Sequence, residues 1–332
     1  MTGDVLSRIP KIDLHAHLEG SLPERTISHL ASRHRLPEPN LRRFDGFAGF
    51  LKAFGAVCDL LVDEADFERA ANDLFADARK LGVIHLEVLF SPQVHLRRGV
   101  PLISIMRGLS RARGRAMRSP GFSIVYIADG VRQWGGPWFD EVVGALGPWA
   151  GRGLAGIGVG GDEASHPARE FAASFRRARS MGLHTTIHAG ESAGPESIRD
   201  AIEHLPVDRI GHGFRAAGDP DLMALIRRRG ITLEICPTSN LATGLVPSLT
   251  EHPVRALFDA GLLVTINTDD GAFFGTDIEK ELRAASQTAG FTHHELRQLL
   301  LNSAGAAFTT KSRRRALARR IRRGWEPSRA DG

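Results

Sequence analysis

Eight short runs rich in apolar and β-branched residues alternate with helical stretches along this chain, and several of the runs end in a histidine or an acid. They cover 11–18, 83–90, 122–129, 154–163, 183–189, 208–213, 231–240 and 262–269. Near-continuous apolar runs suit parallel strands buried on both faces. Strands alternating with helices point to the α/β class. A doubly wound sheet collects its ligand groups at one switch point, whereas a barrel takes them from the ends of many strands. The chain is therefore expected to form a (β/α)8 TIM barrel. No linker divides the 332 residues, so one domain over 1–332 is expected, with 311–332 as a basic tail.

Local signals refine that outline. Ser21 with Glu24 reads as a capping box for a helix over 26–33. The extended connection after the first run carries Phe47, Phe50, Leu51 and Phe54 at helical spacing. That pattern fits a lid over a pocket, and it fits ordinary core packing as well. His85, Glu87 and Leu89 share one face of the second run, so the two polar groups need buried partners. Pro167 is placed at the first position of the helix after run four.

Composition limits the partners. Cys58 and Cys236 are far apart and form no CxxC, which suits a reducing, cytoplasmic setting. The N-terminus lacks a long apolar core of a signal peptide, and no apolar run is long enough to span a bilayer. The formal charge is +5, and much of the excess lies in 311-KSRRRALARRIRRGWEPSR-329. No nucleic-acid signature accompanies this segment, so it reads as a solvated terminal helix on the barrel rim. Neither a nucleic acid nor a membrane is an expected partner.

The chemistry gathers at run ends. His15 and His17 are spaced to face one side of the first run. His188 ends the fifth and Asp269 the eighth. Three imidazoles and a carboxylate make a sensible Zn²⁺ shell with a further position for water. His212, ending the sixth run, reads as the group that orients and deprotonates the attacking water. Glu191, three residues past His188, reads as a neutral acid that protonates a ring nitrogen as charge builds there. The sum is hydrolytic displacement of a leaving group from a polarised C=N. A His/Cys/Cys zinc deaminase is excluded by the lack of a P-C-x-x-C stretch. A two-metal site bridged by carbamylated lysine is disfavoured, since no lysine lies at a run end.

PKIDLHAHLEGSL near the start, GGDE at 160–163, TIHAGESAGPESI from 186, DRIGHG, LEICPTSNLATG and VTINTDD together resemble the adenosine deaminase family of the amidohydrolase barrels. The likeness covers about residues 10 to 310. It implies a metal-dependent hydrolase barrel whose first βα loop forms a helical lid. It implies one zinc on His15, His17, His188 and Asp269, with Glu191, His212 and Asp270 catalytic. Glu191 would protonate purine N1 and Asp270 would hold N7. The Gly161 N–H would reach N3, and Glu19 would meet the ribose hydroxyl. His17, Phe50, Leu51 and Phe54 would also face the substrate. The implied reaction converts adenosine or 2′-deoxyadenosine and water to the inosine product and ammonia. Aminodeoxyfutalosine is the alternative substrate, then adenine. Monomer and homodimer both stay open. Gly158 and Gly271 depart from the Asp and Pro often found there, and both departures bear on the substrate side.

Overall fold

The computed structural model describes residues 2–41 and 46–325, without the side chains of 2–4 and 46–48. Among the described residues nine strands follow in order: β1 (Lys11–His17), β2 (Val83–Phe90), β3 (Ser123–Val131), β4 (Leu154–Gly160), β5 (His184–Thr185), β6 (His188–Ala189), β7 (Arg209–His212), β8 (Thr232–Ile235) and β9 (Leu263–Ile266). All pair in parallel, as β1-β2-β3-β4-β5 and β6-β7-β8-β9. β5 and β6 are the two halves of the fifth predicted run. Backbone bonds continue across the break, from Thr186 N–H to the Ile157 carbonyl at 3.0 Å and from Gly211 N–H to that of Ile187 at 2.8 Å. The ring closes where Asp269 N–H donates to the His15 carbonyl at 2.7 Å and His17 N–H to the Asp269 carbonyl at 3.1 Å. The result is the (β/α)8 barrel that the alternating runs predict, with extra helices.

Every residue of β1 and β2 is buried, so polar residues on them must find partners inside. His85 Nδ1 lies 2.7 Å from the Ser123 hydroxyl and its Nε2 3.0 Å from Glu87. Arg209 Nη2 donates to Glu87 at 2.7 Å, and its Nε pairs with Glu234. A buried guanidinium thus sits between two buried carboxylates, with the Phe308 ring beneath it at 3.4 Å.

Among the described residues between β1 and β2 lie three α-helices, Glu24–His34, Gly46–Cys58 and Glu64–Lys80. The last is capped reciprocally by Asp63 and Asp66 and buries Phe67, Ala70, Ala71, Leu74 and Phe75. The predicted Ser21–Glu24 box does not form. Pro23 precedes the Glu24–His34 helix without a side-chain cap, and the Ser21 hydroxyl donates to the Asp269 carbonyl at 3.2 Å instead. A bond to the barrel seam outcompetes the local cap. Pro167 likewise precedes a 3-10 turn, Ala168–Phe171, and the helix proper begins at Ala172. The seventh run stops at Ile235, because Pro237 opens the helix Pro237–Ala242.

Two terminal helices close the end where the strands begin. Thr2–Arg8 leads into buried Leu6 and Ile9. Lys311–Gly324 buries Leu317 and Ile321, Arg314 Nε donates to the Ala307 carbonyl at 2.7 Å, and Gly324 lies against Pro10. The basic helix therefore docks at the far end from the barrel mouth, and 326–332 lie outside the described residues. Among the described residues no helix is long and apolar enough to cross a membrane.

Candidate active site

β1, β6, β7 and the turn after β9 end at one place, and each delivers a chemical group there. The closest ring atoms are His15 Nε2 and His188 Nε2 at 3.0 Å, with His17 Nε2 at 3.3 Å from His15 Nε2. Asp269 Oδ1 lies 3.3 Å from His17 Nε2 and 3.7 Å from His15 Nε2. His212 Nε2 is 3.8 Å from Asp269 Oδ2 and 3.6 Å from Glu191 Oε2. One ligand atom from each of His15, His188, His212 and Asp269 falls within 4.8 Å of the others. The structure thus brings His15, His17, His188, His212 and Asp269 together, with Glu191 beside them. That quartet contains His212 where the sequence reading put His17, and His17 Nε2 touches the same centre at 3.3 Å from both His15 and Asp269.

The outer hydrogen bonds decide which groups offer lone pairs. The His15 Nδ1 is 2.8 Å from the Glu234 carboxylate, itself paired with Arg209. The His188 Nδ1 faces the Val159 carbonyl at 3.3 Å. Both partners are acceptors, so the proton sits on Nδ1 and Nε2 presents its lone pair inward. Two lone pairs 3.0 Å apart, beside a carboxylate, fit a cation between them. Asp269 is held from several sides. Ser239 Oγ donates to its Oδ2 at 2.6 Å, and its backbone has φ 61°, an uncommon conformation for a residue other than glycine. His212 shares that conformation at φ 56°.

Beside the cluster lies a cavity of about 230 Å³. His17, Glu191, His212, Asp269, Asp270 and Gly161 line it, and Phe50, Leu51, Phe54, Phe274 and Trp134 form an apolar wall. The helix Gly46–Cys58 supplies the first three of these, as the lid reading expects; Phe47 belongs to it but its side chain is outside the described residues. Phe50 stacks on Phe274 at 5.5 Å and meets Phe273 edge-on at 5.4 Å. Burial, with Asp269 and Glu163 adding to it, pushes the Glu191 carboxyl up to about 8, so it keeps its proton near neutrality. Burial also drives Asp270 well upward, with Asp269 and Glu19 in support. Gly20 leaves the room that Asp270 occupies, since a Cβ there would fall 1.6 Å from Asp270 Oδ1.

Glu19, expected at a ribose hydroxyl, does not line the cavity. Its Oε1 accepts from Ser91 N–H at 3.0 Å and lies 2.8 Å from His95 Nε2.

Two acids escaped the sequence reading. Glu163 accepts from the backbone N–H groups of Glu191 at 3.1 Å, Ser192 at 2.9 Å and Ala193 at 3.1 Å, and from that of Gly190. It shapes the loop that carries Glu191. Asp129, near the end of β3, lines the cavity with an unpaired Oδ1, and burial lifts its pKa to about 8. It pairs in register with Gly158, where a Cβ would stand 2.5 Å from that oxygen. The absence of a side chain at Gly158 leaves the space this carboxyl occupies. The one available signal was the glycine itself.

The adenosine deaminase family profile matches residues 10–323. The chain is 36% identical to the adenine deaminase of Streptomyces coelicolor over 313 residues, 92% of each chain. It is also 36% identical to the aminodeoxyfutalosine deaminase of Acidothermus cellulolyticus, over 84% of this chain and 83% of that one. An amidohydrolase from Burkholderia ambifaria, solved with bound zinc, superposes with a TM-score of 0.88 at 26% identity, covering 97% of this chain and 92% of that one. With its histidine–aspartate cluster and buried acid at the mouth of a parallel barrel, the chain belongs to the adenosine deaminase family and is a metal-dependent, hydrolytic deaminase-type enzyme.

Proposed function

We propose that this enzyme deaminates adenine as the free base, using one zinc held by His15, His17, His188 and Asp269. The observation that carries the choice of base over nucleoside is the state of Glu19. Its Oε1 accepts from the Ser91 amide and faces His95, its Oε2 is buried without a hydrogen-bond partner among the described residues, and Glu19 is not among the residues lining the cavity, so no oxygen of this acid stands in the wall to meet a ribose hydroxyl. The curated relative from Streptomyces coelicolor, an adenine deaminase, supports the same reading. The sequence alone led with adenosine or 2′-deoxyadenosine and kept adenine as an alternative.

When bound, zinc polarises a water for attack on the amino-bearing carbon. The chain's own groups then direct the reaction. Glu191, protonated near neutrality, gives its proton to N1 as the ring takes up charge. Asp270, on the cavity wall, would hold N7, and the Gly161 amide would meet N3. His212 fixes the orientation of the incoming water. One proton of the water passes to the amino group, which leaves as ammonia, and as the new C6 hydroxyl becomes the carbonyl its proton returns to Glu191, giving the 6-oxopurine. Phe50, Leu51 and Phe54 cover the base and exclude bulk solvent.

An ammonia-release panel of adenine, adenosine, 2′-deoxyadenosine, methylthioadenosine and aminodeoxyfutalosine tests the assignment. Adenine is expected to give the highest kcat/KM. A higher value for any nucleoside overturns the choice of free base, and an aminodeoxyfutalosine preference would align the enzyme with its Acidothermus relative.

A further inference from the structure

The proton on the His212 ring is placed by a chain of buried hydrogen bonds that starts at a backbone amide. Val254 N–H lies 3.1 Å from His252 Nδ1. A backbone amide only donates, so His252 Nδ1 must be the acceptor. His252 is buried, and burial lowers its pKa to about 4, so at neutral pH the ring carries one proton. That proton is then on Nε2, which faces Asn240 Oδ1 at 3.1 Å. The same contact fixes the amide of Asn240, a wholly buried residue whose Nδ2 is left to donate to His212 Nδ1 at 3.1 Å. His212 Nδ1 accepts, and the neutral ring holds its proton on Nε2. That nitrogen is buried and has no hydrogen-bond partner among the described residues, and His212 lines the cavity.

The arrangement is opposite to that of the neighbouring histidines. His15 and His188 give their Nδ1 protons to a carboxylate and a carbonyl and turn lone pairs inward. His212 turns an N–H inward. The geometry points to Asn240 and His252 as positioning residues that lock His212 in the Nε2–H tautomer, making it a hydrogen-bond donor to the attacking water rather than a metal ligand or a base. Four imidazoles crowd one centre, and this relay tells the fourth apart from the others. It also moves the water's proton elsewhere, because the inward nitrogen of His212 is already protonated. Asp129, Glu191, Asp269 and Asp270 are the acids lining the same cavity.

The inference rests on the deaminase reading only for its effect on turnover. The tautomer itself is read without substrate, so its failure is separable from a failure of the substrate assignment. Zinc-loaded enzyme labelled with ¹⁵N-histidine is examined by long-range ¹H–¹⁵N NMR, with the His212 signals assigned by their loss in His212→Gln. Wild type is expected to show a bare Nδ1 and a protonated Nε2. Asn240→Asp keeps the side-chain shape but accepts where the amide donates. It should move the proton to Nδ1 and lower kcat about 10- to 100-fold, the range for partners one shell out, with KM little changed. His252→Phe should scramble the tautomer and lower kcat. His252→Gln, which can again accept from Val254 and donate to Asn240, should recover most of the kcat that His252→Phe loses. A wild-type His212 carrying its proton on Nδ1 overturns the assignment. So does an Asn240→Asp enzyme that retains both the Nε2–H pattern and wild-type kcat.

Discussion

Glu191 owes its position to a residue that is not part of the cavity lining. The Glu163 carboxylate collects the amides of 190–193, and removing part of its acceptor strength frees that loop. Glu163→Gln is expected to lower kcat about tenfold or more, with bound zinc unchanged by elemental analysis. A variant with wild-type kcat would remove Glu163 from the positioning of the acid. At this scale the sequence was partly legible. His15, His17, His188, His212 and Asp269 stood out because each ends a recognisable strand, and the structure brings them to one point. Asp129 and Glu163 did not, since their relevance depends on register and on loop geometry. The left-handed backbones of His212 and Asp269 were equally hidden, as non-glycine residues give no sign of such strain.

Helices and strands were legible in kind more than in extent. Periodicity found the lid helix, while its competing reading as plain core packing could be separated only by seeing Phe50, Leu51 and Phe54 on the cavity wall. The same helix turns its aromatic face toward the turn after Asp270 through the Phe50–Phe274 and Phe54–Phe273 contacts. Phe54→Ala should therefore loosen the cover and raise KM several-fold while moving kcat less, measured by steady-state kinetics. An unchanged KM would take the lid out of substrate retention. The capping box at Ser21 misled because a local signal is blind to a partner 248 residues away. The division of the fifth strand at 186–187 was invisible for a similar reason, as the run itself is continuous in sequence.

Across the whole molecule, the barrel interior carries charge as well as apolar bulk. Arg209 and His85 hold Glu87 in a fully buried site, and the carboxyl falls from an ordinary 4.5 to about 2 against the cost of burial. The unfolded chain binds the proton first as pH drops, so this contribution is present above about pH 4.5 and lost toward pH 2. The gap is worth on the order of 3 kcal/mol. Urea unfolding from pH 7 to pH 3 should reveal that loss in wild type, and Glu87→Gln should flatten it. An equally steep fall in the variant would assign the acid sensitivity elsewhere. The seam of the ring has a different dependence. Both backbone bonds that join the turn after β9 to β1 run through Asp269, the same residue that faces the metal cluster. Retiring the chemistry and keeping the architecture are thus unequal demands on one position. A descendant that abandons catalysis can give up the charge at 269 but must still bend its main chain there, so asparagine is a natural successor and valine is not.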